Sequence, residues 1–339
     1  MNSDSKPKIV FMGGNLIGCN VLKYLYRLKN LKITLVVSRY NDNGSIIEPK
    51  VWNASLTRLT LNKNLLLVQP KSPRNAQFIY DIQKEDRPDF IVTAGYDKIL
   101  DPEILNIPTI GTINIHFSPL PKHRGFFPVV WSLLEDQFAG VTLHWVNNEF
   151  NSGDIIDRET IPITADDTAY DLYLDLSKAG LKLFKKNFPQ ILQGNTSRFS
   201  QDETEASYHA AGYPFQRIID WNKNSENIRR FIRALTFPGF ESARTFYNDL
   251  EINILQPVEV QFNTNGDSRF EPGTLLDIQP KGIFVKTADG KLLIKKMRIN
   301  KSVVIDAYKL CKLFTLKSGD KFKSFENLSS DGKLNLIVH

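Results

Sequence analysis

The run GTINIHFSPLPKHRG, residues 111 to 125, opens as a strand and ends as something else. Ile113, Ile115 and Phe117 alternate with Asn114 and His116, so the two polar side chains share one face. Pro119 and Pro121 then stop the strand and hold the backbone in an extended loop, which KHRG closes. A core strand has little use for an Asn and a His two residues apart. At the C-terminal end of a parallel strand, however, the pair stands where open α/β sheets bind ligands.

The flanking sequence supplies such a sheet. KIVFMGG (8–14), KITLVVS (32–38) and DFIVTAG (89–95) are short apolar runs separated by helical stretches. In the first of these stretches Leu16, Val21, Leu22 and Leu25 recur at helical spacing. The pattern predicts an α/β, Rossmann-like domain with a mostly parallel sheet and helices on both faces. DTAYDLYLDLSKAGLKLFKKNFPQIL (167–192) reads as a long amphipathic helix, with Thr168 as N-cap and Asp171 three residues on.

The texture changes after about residue 205. FQRIIDWNKNSENIRRFIRALTFPGF (215–240) reads as a helix with Ser225 as its N-cap, ending at Pro238-Gly239. Short alternating runs follow, and Asp289-Gly290 marks a hairpin. The expected organisation is an N-terminal catalytic domain over 1–205, a helical linker over 206–240, a small OB-like antiparallel barrel over 241–305, and a Lys- and Ser-rich tail over 306–339.

Composition narrows the class. The 339 residues are 42% apolar and 24% charged, as in an ordinary globular protein. Forty-three Lys and Arg against 37 Asp and Glu give a net charge of +6, which fits an anionic ligand and equally a Lys-rich proteome. Cys19 and Cys311 are too few and too far apart for a disulfide framework or a CxxC metal pair, and no metal-ligand cluster is seen. Signal-peptide character and apolar runs of membrane-spanning length are both lacking, so the expected location is the cytoplasm. Gly13, Gly14 and Gly18 lack the GxGxxG spacing, and Ser38 and Arg39 stand where a ribose-binding acid would. Those residues argue against NAD and favour a tight strand-to-helix turn.

Downstream, GVTLHWVNNEFNSGDIIDRETIPI (140–163) reads as strand, polar loop and strand, with Asp154 at the loop's end. An Asp so placed could pair with His116 and raise its pKa, making it a proton shuttle near neutrality. From the residues alone, the prediction stops at an acyl-transfer-like site.

Residues 113–157 as a whole, INIHFSPLPKHRGFFPVVWSLLEDQFAGVTLHWVNNEFNSGDIID, resemble the core of the formyltransferases that use 10-formyltetrahydrofolate. Weaker similarity runs from about residue 8 to 300, through YDKIL (96–100) and FIRALTFPGFESARTF (231–246). The resemblance implies Asn114, His116 and Asp154 as catalytic residues, with Asn114 donating to the oxyanion and His116 acting as base or as oxyanion stabiliser. It implies folate contacts at Tyr96, Ile99, Leu100 and the loop before Asp154. Lys98, Pro121, Arg124 and Gly125 are expected at the acceptor, with Arg233 as a further phosphate candidate. Phe126, Phe127, Trp131 and Trp145 flank the site, most of them as core.

The family's acceptors differ. SRYNDNGSIIEPKVWNASLTRL (38–59) lacks the dense Lys and Arg that tRNA phosphates favour. A nucleotide-linked amino sugar is therefore the first expectation. Initiator tRNA and an amino-acid-type amine such as hydroxyornithine are alternatives, and a formyl-tetrahydrofolate hydrolase or a non-catalytic module less so. A homodimer is compatible with all of these.

Overall fold

The computed structural model describes residues 6–40, 42, 52–83, 87–262, 269–300 and 302–324. The chain divides into two compact units. One comprises Met1–Pro128, Phe138–Pro162 and Tyr173–Ala210; the other comprises Val129–Gln137, Ile163–Leu172 and Ala211–His339.

The first unit holds strands β1 (Lys8–Gly13), β2 (Lys32–Ser38), β3 (Leu67–Val68), β4 (Phe90–Ala94), β5 (Gly111–His116), β6 (Arg124–Gly125), β7 (Phe138–Trp145), β8 (Ile155–Pro162) and β9 (Tyr208–His209). Seven of them form a sheet ordered β3-β2-β1-β4-β5-β7-β8, while β6 pairs with β9. The sheet is parallel from β3 to β5 and antiparallel at β7 and β8. Helices α1 (Asn15–Arg27), α2 (Leu56–Asn62), α3 (Ala76–Gln83), α4 (Pro102–Leu105), α5 (Pro128–Glu135) and α6 (Ala169–Leu192) precede residue 200.

Every residue of β4 is buried, as expected of a central strand covered on both faces. On one face Val10, Met12 and Ile91 pack with Phe78, Ile82 and Ile104 from α3 and α4. On the other, α6 lies close enough that a Cβ at Gly180 would stand 3.2 Å from both Ile115 and Val141. Tyr24 of α1 meets Phe184 of α6 edge to face, with ring centres 6.0 Å apart. Full burial of each such side chain contributes about 1.5–3 kcal/mol. The glycine cluster makes a tight turn: a Cβ at Gly13 would meet the Ala94 carbonyl oxygen at 2.7 Å, and one at Gly18 would meet it at 2.9 Å. The Thr168–Asp171 box forms as read. The Thr168 hydroxyl accepts from the Asp171 amide at 3.3 Å, and the Asp171 carboxylate accepts from the Thr168 amide at 3.0 Å.

The second unit holds α7 (Ser225–Ala234), β10 (Arg244–Tyr247), β11 (Leu250–Phe262), β12 (Leu275–Gln279), β13 (Gly282–Lys286), β14 (Gly290–Ile299), β15 (Ile305–Asp306) and α8 (Ala307–Leu313). Its antiparallel sheet runs β10-β11-β14-β13-β12, with β15 on β14. Two local readings change. Within 215–240 the helix is confined to α7: Phe215, Gln216 and Arg217 take positive φ, Ile218 and Asn224 are extended, and the chain turns α-helical at Ser225. The N-cap is Asn224, whose side chain accepts from the Asn227 amide at 2.8 Å; Ser225 is the first helical residue and its amide donates to Asp289. Of the tail expected over 306–339, residues 307–324 have definite structure, and 325–339 lie outside the described residues. Leu310, Cys311, Leu316 and Phe322 enter the second core, and bridges from Lys321 to Thr274 and from Lys323 to Phe246 join the segment to both ends of the sheet path.

Candidate functional site

A cleft of about 290 Å³ opens at the C-terminal ends of β4 and β5. That volume is near the lower bound of small-molecule sites, of order 300 Å³, and suits one ring system with its substituents. Leu100, Ile115 and Tyr96 give it an apolar wall; Asp97, Lys98 and Glu149 give it charge. Burial, and then Asp97, push the Tyr96 phenol pKa up, so it stays protonated and can donate.

Asn114 and His116 both line the cleft, as the alternation of β5 requires. The Asn114 Oδ1 accepts from the Thr93 hydroxyl at 2.7 Å, and its Nδ2 stands 3.1 Å from Nε2 of His144. Thr93 and His144 are its register partners on β4 and β7. The sequence reading missed His144. A lone His inside GVTLHWV was the signal, but the register that sets it against Asn114 was not visible.

Nε2 of His116 lies 3.0 Å from the carbonyl oxygen of His123. A carbonyl only accepts, so Nε2 carries the proton and donates, leaving Nδ1 with the lone pair. The ring is buried, and burial pulls its pKa down to about 4. This reverses the expectation of a raised value. The Asp154 side chain is turned to Ser200, whose hydroxyl donates to it at 3.5 Å, and to Arg198 at 4.0 Å. It does not face His116 here, and desolvation is therefore uncompensated by a carboxylate.

The other expected residues separate into two groups. Tyr96, Lys98, Ile99, Leu100 and Gly125 line the cleft, as do Phe126 and Phe127. Phe126 stacks on Phe150 with ring centres 5.6 Å apart. Pro121, which follows a cis peptide bond, is not part of the lining. Nor is Arg124: it is buried and bidentate to Glu203 at 2.7 and 2.8 Å, with Gln201 as a further acceptor. Arg233 belongs to the second unit, where it donates to the carbonyl oxygens of Thr164 and Asp167. Trp145 carries the Arg198 guanidinium 4.0 Å over its ring, and Trp131 packs edge to face on Phe215. Of the stretch 38–59, read for its lack of basic residues, positions 41 and 43–51 lie outside the described residues. Among the described residues no helix is long and apolar enough to cross a membrane.

The same segments match known proteins. Residues 8–187 match the family described as Formyl transferase, and residues 214–314 match Formyl transferase, C-terminal domain. Methionyl-tRNA formyltransferase of Mesoplasma florum is 30% identical over 322 residues, 94% of this chain and 99% of that one. The bifunctional polymyxin resistance protein ArnA of Wigglesworthia glossinidia brevipalpis is 31% identical over 287 residues, 84% of this chain and 42% of that protein. Among solved structures, WlaRD, a sugar 3N-formyl transferase crystallised in the presence of dTDP and 5-N-formyl-THF, shares 26% identity and a TM-score of 0.66, covering 88% of this chain and 100% of that one. With both its segments matched and a relative of this identity aligned nearly end to end, the chain belongs to the formyl transferase family.

Proposed function

We propose that this enzyme moves a formyl group from 10-formyltetrahydrofolate to the amine of a small acceptor, a nucleotide-linked amino sugar in the first place. The observation that carries the reading is the state of His116: a neutral imidazole in the cleft, its Nε2–H committed to a carbonyl and Nδ1 left as a base.

The residues suit the chemistry. The apolar wall of Leu100, Ile115 and Tyr96 fits a flat ring, and the phenol can donate to it. The acceptor amine attacks the formyl carbon; a C–N bond forms and the carbonyl oxygen becomes an oxyanion. The Asn114 amide, held by Thr93, donates to that oxygen; such a donor is worth about 2.7–4 kcal/mol of barrier. His116 takes the proton from the attacking nitrogen, because its only N–H is already engaged and it has none to give the oxyanion. As the C–N bond to the donor's N10 breaks, the proton passes to that nitrogen and tetrahydrofolate leaves. Asp154, which lies outside the cleft lining, enters as the third catalytic residue on the resemblance of its loop to the family's.

WlaRD, crystallised with dTDP, supports the sugar nucleotide, since its whole chain aligns with this one. A second reading, methionyl-tRNA, is favoured by two observations. The M. florum relative aligns over 99% of its length, and residues 211–339 hold 20 Lys and Arg against 14 Asp and Glu, whereas residues 1–210 hold 23 of each.

The test is mass spectrometry after incubation with 10-formyltetrahydrofolate and a panel of nucleotide-linked amino sugars, with initiator methionyl-tRNA and hydroxyornithine alongside. A gain of one formyl group on a sugar upholds the first reading. Gain on the tRNA alone replaces it with the second. Failure to bind the folate donor overturns both.

A further inference from the structure

The Asn114 amide can serve an oxyanion only in one of its two orientations. With Nδ2 toward the cleft it donates; flipped by 180°, it would present Oδ1 and repel the developing charge. Something must fix the choice, because the two ends of a primary amide have nearly the same shape.

We propose that His144 is a positioning residue for formyl transfer, its bare Nε2 holding the Asn114 amide in the orientation that leaves one N–H for the oxyanion. The inference rests on the function proposed above and adds a residue to it.

Three hydrogen bonds carry it. Nδ1 of His144 lies 2.7 Å from the carbonyl oxygen of Trp145, its own neighbour in β7. The carbonyl accepts, so Nδ1 holds the proton. The ring is 1% exposed, and burial, then the adjacent His116, push its pKa down to about 3. It is therefore neutral, and Nε2 carries a lone pair. The group 3.1 Å from that lone pair is the Asn114 side-chain nitrogen, which donates one of its two N–H bonds. At the far end of the same amide, Oδ1 accepts from the Thr93 hydroxyl at 2.7 Å. A flip would set Oδ1 against the Nε2 lone pair and forfeit that bond, whereas the Thr93 hydroxyl could turn its proton to the Ile113 carbonyl, 3.2 Å away, and accept from the flipped amide; the choice of orientation therefore falls to His144. The second Asn114 N–H has no acceptor among the described residues, and Asn114 lines the cleft.

The arrangement is built by pairing. Asn114 stands opposite Thr93 on the parallel side of β5 and opposite His144 on its antiparallel side. One strand thus holds the amide at its oxygen, and the other decides its orientation through its nitrogen.

The test has two arms. The first uses the protein alone. Long-range 1H–15N correlation of the histidine rings, with His144 assigned through His144→Gln, should show the Nδ1–H form unchanged between pH 5 and 8. An Nε2–H form, or titration near 6.5, overturns the proposal whatever the activity. The second arm uses 10-formyltetrahydrofolate and whichever acceptor the panel identifies. His144→Leu removes the acceptor atom and should lower kcat about 10- to 100-fold, with KM for both substrates within about twofold. His144→Gln, whose Oε1 can accept from Asn114, should recover most of that loss. A kcat within twofold of wild type in His144→Leu overturns the proposal, as does a Gln variant no better than Leu at equal thermal stability. If the wild-type protein transfers no formyl group to any acceptor, the reading of function fails, while the tautomer arm still decides the hydrogen-bond relay.

Discussion

Nε2 of His116 donates to the backbone carbonyl of His123 across 3.0 Å, within the loop that turns from β5 to β6. The bond seals the proline loop over the strand end and fixes which nitrogen faces the reaction. His116 should therefore couple stability to pH. In the unfolded chain an imidazole titrates near 6.5, and in the fold this one titrates at about 4. Between these values the unfolded state binds the extra proton. Stability is thus full above about pH 6.5 and falls as pH drops toward 4, by about 3 kcal/mol for this group. Urea unfolding at pH 7.5 and pH 5 should give a lower midpoint at pH 5, and His116→Gln should reduce the difference. An equal difference in the variant would show that His116 does not keep its neutral form in the fold.

Asp154 supports the sheet through its backbone and leaves its side chain for other work. Its carbonyl accepts from the Trp145 amide at 2.9 Å, whereas its carboxylate is 37% exposed. Asp154→Ala keeps the first and deletes the second. The melting temperature should stay within a few degrees, while formyl transfer should fall at least ~100-fold if the carboxylate assists His116. Near-wild-type turnover would remove Asp154 from the mechanism.

How far the sequence reveals this site follows from the range of each interaction. The shared face of Asn114 and His116 is local, set by strand alternation, and was legible. So was the Thr168–Asp171 cap, whose partners are three residues apart. The partnership of Asn114 with His144 spans 30 residues and depends on an antiparallel register that no single sequence displays. Arg124 reads as a phosphate ligand beside the motif, but its partner Glu203 lies 79 residues on. Asn224 and Ser225 are both good caps, and the choice falls to Asn224 because Asp289, from a distant hairpin, takes the Ser225 amide. The segment 321–323 shows no periodicity because it joins the sheet through isolated bridges, too short to print a pattern.

Gly125 is a position in the cleft wall where a side chain must fail. Its φ is +99°, and an added Cβ would stand 2.1 Å from the His209 carbonyl oxygen, a backbone atom that cannot swing aside. Its amide also donates to Asn151 at 3.2 Å, tying the wall to the polar loop. Gly125→Ala should cost roughly 2–4 kcal/mol and part β6 from β9. Chemical denaturation measures the first, and exchange of the Arg124 and Phe126 amides, which donate to the Ser207 and His209 carbonyls, measures the second. A stability loss under ~1 kcal/mol would contradict the close approach.

Arg124 tests whether a cation beside the motif reads the substrate or braces the site. Its guanidinium donates to Gln201 Oε1 at 2.8 and 3.1 Å, and the Nε2 of Gln201 in turn donates at 2.8 Å to the carbonyls of both Asn151 and Gly153. Those carbonyls belong to the loop that delivers Asp154. Arg124→Lys keeps the charge but loses the fork that engages Gln201 and Glu203 together. The Glu203 partner is largely exposed, so the ion pair itself adds little after solvent screening. The effect should instead appear in the loop: kcat down about 10-fold, KM for the acceptor within twofold, and little change with salt. Gln201→Ala should reproduce that signature, since it cuts the same chain one link later. If Arg124→Lys raises the acceptor KM ~10-fold and the loss deepens with ionic strength, the guanidinium meets the acceptor's phosphates directly, and the bracing role is wrong.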